Sequence, residues 1–341
     1  MAHVALAAVS ILAGLSELGY SVTSVLAGLG MLAGSWPIVS SQTTCLPMTG
    51  AWLPDADAAM LAEELPGPDC DPKRLRLLNE DLIAFKDSEG KVGVVDAYCP
   101  HRGAPMFYGR NEEDGLRCVY HGWKFDVSGS CVDMPNEPAE SNFKHKIRAS
   151  AYHAVERNGV VWLYMGPPAV EPPLPAFEAN LLPEGTWQVS AVLRECNYMQ
   201  ALEGDIDTSH LGFLHLGAIP AEIATPGSFS EYSLRYKDPK YEVVDTDYGT
   251  MYVAYRPAED DTYYWRVAHF LFPCWTMPPV GVLGLKIVAR AWVPVDDEHT
   301  MFFMMGPKPG QVGASSAGPR LLDNEYTTSL PLAGQKYLPP T

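Results

Sequence analysis

Apolar and polar positions divide this chain into four stretches: a long apolar opening, a run of short strands, a proline-rich break, and a strand-rich region carrying one helical stretch. From about Trp52 the pattern is that of short half-buried strands. Arg76–Leu78, Asp81–Lys86 and Val92–Val95 read as strands, with Asp87–Gly90 (DSEG) as a hairpin turn. Leu116–Tyr120, Lys124–Val127 and Cys131–Val132 continue the pattern, with Ser128–Ser130 as a further turn. Val155–Asn158 and Val160–Met165 flank Asn158-Gly159, the strongest short hairpin signal. These runs predict an all-β domain over residues 48–166.

Residues 167–175 (PPAVEPPLP) predict a semi-rigid linker. Beyond it, Trp187–Arg194 reads as a strand and Asn197–Leu216 as helical in large part. Strand-like runs follow at Tyr241–Asp245, Thr250–Tyr255, Tyr263–Leu271, Leu285–Val295 and Met301–Met305. Residues 176–341 therefore predict an α+β domain with a sizeable antiparallel sheet.

The opening stretch, residues 1–47, stands apart. Between Val4 and Val39 the only formal charge is Glu17, and no Lys or Arg precedes Lys73. Its apolar length suits a membrane span, yet the basic flank that a secretory signal or an oriented span requires is missing. Six glycines between Gly14 and Gly50 also make a poor helix. Three readings stand: a non-native start, a membrane anchor, and a buried or interfacial element.

Composition narrows the function classes. In 341 residues, 47% are hydrophobic and 19% charged, which excludes a disordered or fibrous chain. Acidic residues outnumber basic ones 41 to 24, a net charge of −17 that repels phosphate backbones, so nucleic acid is not an expected partner. Seven cysteines are too few and too scattered for a disulfide framework. No Gly-rich dinucleotide fingerprint sits in a strand–turn–helix context, because Gly28-Leu-Gly30 lies in the apolar opening.

Two constellations carry chemistry. The first is Cys99-Pro-His101-Arg-Gly103, followed by Cys118-Val-Tyr-His121-Gly-Trp123. Each tight loop offers one thiolate and one imidazole. Spacing alone allows a tetrahedral structural zinc or a [2Fe–2S] cluster with two cysteines on one iron and two histidines on the other. Cys131 lies near, but four ligand places are already filled, so it reads as a core thiol. The second is Glu203-Gly-Asp205-Ile-Asp207-Thr-Ser-His210-Leu-Gly-Phe-Leu-His215. Asp207 and His210 fall on one face of a helix. His210 and His215 overshoot that face and need a break, for which Gly212 is placed. Glu203 and Asp205 leave two readings open, residues that shape the site and a solvated helix face, of which the solvated face is the stronger.

The residues around both sites decide the first question. CPHRG and CVYHGW resemble the Rieske signature. CNYMQALEGDIDTSHLGFLH, together with ELPGPDC and VYHGWKFDVSG, resembles the Rieske non-haem iron ring-hydroxylating oxygenases, in their phthalate 4,5-dioxygenase-like branch. The resemblance runs from about Trp52 to Pro307. It implies a Rieske [2Fe–2S] cluster held by Cys99, His101, Cys118 and His121, and a mononuclear Fe(II) held by His210 and His215, whose two imidazoles belong to a 2-His-1-carboxylate triad. It implies a helix-grip-like catalytic domain and a head-to-tail trimer. In that trimer Asp207 hydrogen-bonds His210 on one side and His121 of the partner subunit on the other, relaying electrons.

The third iron ligand of this family is a carboxylate some 150 residues past the second histidine, which counts to beyond Thr341; Asp323 and Glu325 fall short of it. The expectation is a chain that lacks its C-terminal helix and third ligand. The implied activity is hydroxylation of an aromatic, phthalate-like substrate with O2, using electrons from NAD(P)H through a separate reductase in the cytoplasm. Such a reductase needs a basic docking patch to meet the −17 charge. Aryl O- or N-demethylation by the same machinery is the alternative, and a non-catalytic electron carrier or inactive fragment is the alternative of another class. Arg256, Arg266, Lys286 and Arg290 are the basic residues available to a substrate carboxylate, and the aromatic-rich region 252–275 supplies core and pocket wall.

Overall fold

A computed structural model describes residues 57–311, except 139, 218–223, 260 and 280–286. Residues 1–47, Lys286, Asp323 and Glu325 lie outside it.

Ten strands build the first half: β1 (Asp57–Leu61), β2 (Lys73–Leu77), β3 (Glu80–Lys86), β4 (Val92–Asp96), β5 (Arg110–Glu112), β6 (Gly115–Arg117), β7 (Lys124–Phe125), β8 (Cys131–Asp133), β9 (Ala151–Arg157) and β10 (Val160–Tyr164). They form a six-stranded antiparallel sheet, β1-β10-β9-β4-β3-β2, and a four-stranded one, β5-β6-β7-β8. The hairpin predicted at Asn158-Gly159 joins β9 to β10, and both turn residues take the positive φ that a type I′ turn requires, 49° and 77°. At the predicted turn after β3, Asp87 Oδ1 accepts the backbone N–H of Glu89 and of Lys91. Strand β1 has no counterpart in the sequence reading: Ala-Ala-Met has weak β-propensity, and pairing with β10 decides it.

The second half carries β11 (Trp187–Arg194), α1 (Tyr198–Ile206), α2 (Phe229–Arg235), β12 (Lys240–Thr246), β13 (Gly249–Pro257), β14 (Tyr263–Leu271), β15 (Trp275–Met277), β16 (Ala289–Pro294) and β17 (Thr300–Pro307). Its strands form one antiparallel seven-stranded sheet, β11-β17-β16-β15-β14-β13-β12. From β11 through β13 the register keeps parity: Val192 faces Phe302, Phe302 faces Trp292, Arg290 faces Thr276, Thr276 faces Phe270, and Ala268 faces Tyr252. In those six strands even-numbered residues therefore share one face and odd-numbered residues the other, whereas the edge strand β12 pairs at opposite parity, Tyr241 against Ala254.

The odd face is the core side. Ala191, Ala289, Ala291, Val293, Phe303, Met305 and Trp275 are buried in one cluster with Ala58, Val161 and Leu163 of the first half. Trp162 stacks on Trp275 at 5.3 Å, with Phe177 packed against both rings. That double coverage is why β10 (VVWLY) is apolar at every position rather than alternating. A second cluster, with Phe85, Met106, Leu116 and Phe125, lies under the two Cys–His loops and includes Cys99 and Cys118.

The helical stretch is shorter than predicted. Asn197 caps α1 by accepting the Met199 N–H at 3.0 Å, but α1 ends at Ile206, and Asp207 is already extended (φ −78°, ψ 125°). Only a 3-10 turn at His210–Gly212 follows. The Asp207 side chain takes up the backbone N–H groups that an α-helix would have used. Among the described residues no helix is long and apolar enough to cross a membrane.

Candidate active site

The two Cys–His loops share one backbone device. The Gly103 N–H donates to the Cys99 carbonyl at 2.9 Å, and the Gly122 N–H to the Cys118 carbonyl at 3.1 Å. Both glycines sit in the left-handed region, at φ 66° and 77°. The turns present Cys99 and Cys118 inward, both buried, and His101 and His121 outward, half-buried, with ring centroids 4.4 Å apart. Trp123 stacks on His101 at 4.2 Å with the two rings nearly parallel. Arg117 braces the second loop: its guanidinium donates to the Gly122 carbonyl, the Asp133 carboxylate and the Glu112 carboxylate, each at 2.7 Å. Cys131 is the core thiol expected, donating to the Asp133 carbonyl at 3.4 Å.

This quartet fits a binuclear iron–sulfur cluster. Burial, with the neighbouring Cys118 adding to it, pushes the Cys99 thiol up to about 11, so a thiolate there calls for a cation to neutralise it. Nδ1 of His101 is buried with no hydrogen-bond partner. Among the described residues no three His, Cys, Asp or Glu side chains are placed to hold one ion. A [2Fe–2S] cluster asks each iron to take only two protein ligands.

Asp207, His210 and His215 come together beyond α1, and Asp207 and His210 do not share a helix face as the sequence reading had it. Asp207 Oδ1 accepts the Ser209 N–H and Oγ–H, both at 2.8 Å. Its Oδ2 meets the His210 N–H at 3.2 Å and the His210 Nδ1 at 2.8 Å. Burial raises the Asp207 carboxyl, but these hydrogen bonds more than offset it and hold it below the ordinary carboxylate value. The ring centroids of His210 and His215 are 5.1 Å apart. Gly212 permits the turn between them because a Cβ there would meet the Ser233 carbonyl oxygen of α2 at 2.6 Å. The pair suits iron as two imidazoles of a triad, and no third ligand to it lies among the described residues.

A cavity of about 570 Å3 opens beside the pair, between α1 and the even-numbered face of the seven-stranded sheet. Its walls include Tyr252, Trp292 and Phe302, with Arg194, Arg266 and Arg290 around them. The Tyr252 hydroxyl is buried without a partner.

Asp205 corrects the sequence reading. It is not a solvated residue: its carboxylate is 7% exposed and accepts from Arg290, Thr276 and, at 3.2 Å, Trp292 Nε1. Glu203 is exposed, as read. Of the four candidate cations, Arg266 lines the cavity, Arg290 lines it but is committed to Asp205, and Arg256 does not reach it. Arg256 is fully buried and donates to the Tyr236 carbonyl at 2.8 Å and the Thr208 carbonyl at 3.5 Å.

Known proteins resemble both halves of the chain. A Rieske [2Fe-2S] domain model matches residues 56–149, and a model described as LigXa C-terminal domain like matches residues 163–318. The 3-chlorobenzoate-3,4-dioxygenase oxygenase subunit of Comamonas testosteroni is 47% identical over 264 residues, covering 75% of this chain and 61% of that protein. The phthalate 4,5-dioxygenase oxygenase subunit of Pseudomonas putida is 41% identical over 256 residues, covering 72% and 57%. The chain belongs to the Rieske non-haem iron oxygenases.

This Rieske oxygenase chain thus spans about three-fifths of the length of those relatives. Its fold matches that of dicamba monooxygenase bound to 3,6-dichlorosalicylic acid, with a TM-score of 0.58 at 19% identity over 81% of this chain and 84% of that one. One pocket residue, Arg194, has no counterpart in the sequence reading, because it is a single charged position within a strand. Strand parity is the signal that finds it: Arg194 is on the same face as Phe302, Trp292 and Arg290 once the register is known.

Proposed function

We propose that this chain is the oxygenase component of a Rieske system and acts on an aromatic carboxylate. The observation that carries the reading is the pair Arg194 and Arg266. Both guanidiniums line the cavity beside His210 and His215, and among the described residues neither pairs with a carboxylate. Arg194 lies 5.6 Å from the Phe302 ring and its Nε is buried without a partner. Arg266 sits 3.6 Å over the Phe229 ring, donates to the Pro279 carbonyl at 2.7 Å, and keeps an unpartnered Nε. Burial pulls both guanidiniums down from their ordinary value, which marks how much an incoming anion would gain by pairing with them. Tyr252, Trp292 and Phe302 supply the apolar walls for a ring.

Cys99, His101, Cys118 and His121 would hold the [2Fe–2S] cluster, and His210 and His215 the mononuclear iron, which when bound supplies the dioxygen chemistry. The chain's own residues do the rest. Asp207 keeps the proton on His210 Nδ1, leaving Nε2 as the ligating nitrogen. Arg194 and Arg266 orient the substrate by its carboxylate, and the aromatic walls exclude water. Electrons come from an NAD(P)H-dependent reductase, cytoplasmic with its oxygenase, whose basic patch meets the −17 charge, and pass in a trimer from His121 of the partner subunit to Asp207.

The test is dioxygen uptake by anaerobically iron-loaded protein with a reductase, comparing benzoate or phthalate with neutral benzamide. Arg194→Gln and Arg266→Gln should each raise KM for the carboxylates at least about tenfold and leave benzamide unchanged. Equal turnover of acid and amide by the native protein would sink the carboxylate reading. Formaldehyde in place of a cis-dihydrodiol as product, from a methoxylated substrate, would favour the demethylase.

A further inference from the structure

Arg290 is the third guanidinium of the cavity, and it is not free. Thr276 and Arg290 face each other across β15 and β16, and Trp292 stands two residues along β16 on the same face. All three donate to one carboxylate, Asp205, which enters from the penultimate position of α1. The Arg290 and Asp205 side chains are 14% and 7% exposed, so water screens the pair little. Among the described lining residues Asp205 is also the sole carboxylate besides Asp207, and Asp207 is occupied with Ser209 and His210.

The geometry points to Asp205 as the residue that sets the charge of the substrate pocket: by taking up Arg290 it leaves two guanidiniums, those of Arg194 and Arg266, to meet the substrate instead of three. It is a specificity residue acting through Arg290, not a catalytic one. The inference rests on the carboxylate reading above and adds to it how many substrate charges the pocket is matched to. A pocket with a third unpaired cation would bind anions more tightly and discriminate less between one carboxylate and two. A pocket with Asp205 unpaired would repel them.

The consequence is a charge cycle read by binding alone. Phthalate, benzoate and benzamide are titrated calorimetrically against the full chain with its Rieske cluster in place. Asp205→Asn should raise phthalate affinity about tenfold, and Arg290→Gln should lower it by a similar factor. The double variant Asp205→Asn/Arg290→Gln, in which the pair is neutral again, should return to within about threefold of the native value. Benzamide affinity should stay flat throughout. The visible circular dichroism of the cluster and the melting midpoint report folding for each variant.

A structural brace alone predicts otherwise: both single variants would weaken all three ligands, and the double variant would be no better than either. That pattern, or an Asp205→Asn protein with unchanged phthalate affinity, overturns the inference. Should Asp205→Asn fail to fold, Arg290→Lys and Arg290→Gln carry the test, the lysine retaining phthalate affinity and the glutamine losing it. If the native chain itself prefers benzamide to phthalate, the carboxylate reading has failed, which is visible before any variant is compared.

Discussion

Oδ2 of Asp207 lies 2.8 Å from Nδ1 of His210, and the same carboxylate oxygen receives the His210 backbone N–H at 3.2 Å. One residue thus holds both the turn that carries the histidine and one nitrogen of its ring, which in the proposed iron site leaves Nε2 as the nitrogen that would bind metal. The arrangement depends on α1 ending at Ile206, because a helix continued through Asp207 would engage those N–H groups itself.

Removing that carboxylate should loosen the iron site without touching the cluster. Asp207→Ala is expected to lower Fe(II) or Co(II) affinity at the histidine pair about 10- to 100-fold, the usual cost of losing a partner to a ligating imidazole. Metal titration of the iron-depleted site, with the cluster's visible spectrum as an internal control, reads it. Unchanged affinity would mean that the hydrogen bond does not orient the ring.

Gly212 should tolerate no side chain. A Cβ would stand 2.6 Å from the Ser233 carbonyl oxygen, so the loop from His210 to His215 must move away from α2. Gly212→Ala is expected to cost about 1–3 kcal/mol and to weaken metal binding together with stability. Equal melting midpoints and metal affinities for the two proteins would show that the loop absorbs the methyl group freely.

Trp275 joins the two halves. It is 3% exposed and stacks on Trp162, itself 1% exposed, within a cluster drawn from both the six-stranded and the seven-stranded sheets. Trp275→Ala should destabilise the chain by about 3–5 kcal/mol. Because the cluster is shared, the denaturation midpoint followed at the iron–sulfur chromophore should fall together with that followed by far-ultraviolet dichroism. A chromophore midpoint that stays put would show that the halves unfold independently.

Arg117 should govern the acid limb of stability. Its hydrogen bonds are the largest cause holding the Asp133 and Glu112 carboxyls below their ordinary values of 3.8 and 4.5. A carboxyl more acidic in the folded chain contributes stability above its unfolded value, and loses it as pH falls through the folded one. The native protein should therefore lose this support below about pH 4. Arg117→Met, with no such support to lose, should show a smaller drop in denaturation midpoint between about pH 6 and about pH 3.5. Parallel drops would remove Arg117 from the acid response.

The features legible along the chain are local ones. Two Cys–His loops with their turn glycines, the run from Asp207 to His215, the Asn158-Gly159 hairpin and most strands were legible because each depends on neighbours within a few residues. Tertiary structure decided what those elements face. Strand β1 exists because β10 pairs with it, and only packing shows that Trp275, one of an aromatic run read as mostly core, is the contact between sheets. Arg194 and Asp205 carry no local signal for the cavity: one needed the register of β11 against β17, the other the approach of α1 to β15 and β16. The physical reason is common to all of them. A side chain's spacing along the chain sets which way it points relative to its neighbours, but only strand pairing and packing set what stands opposite, and charge and burial follow from that.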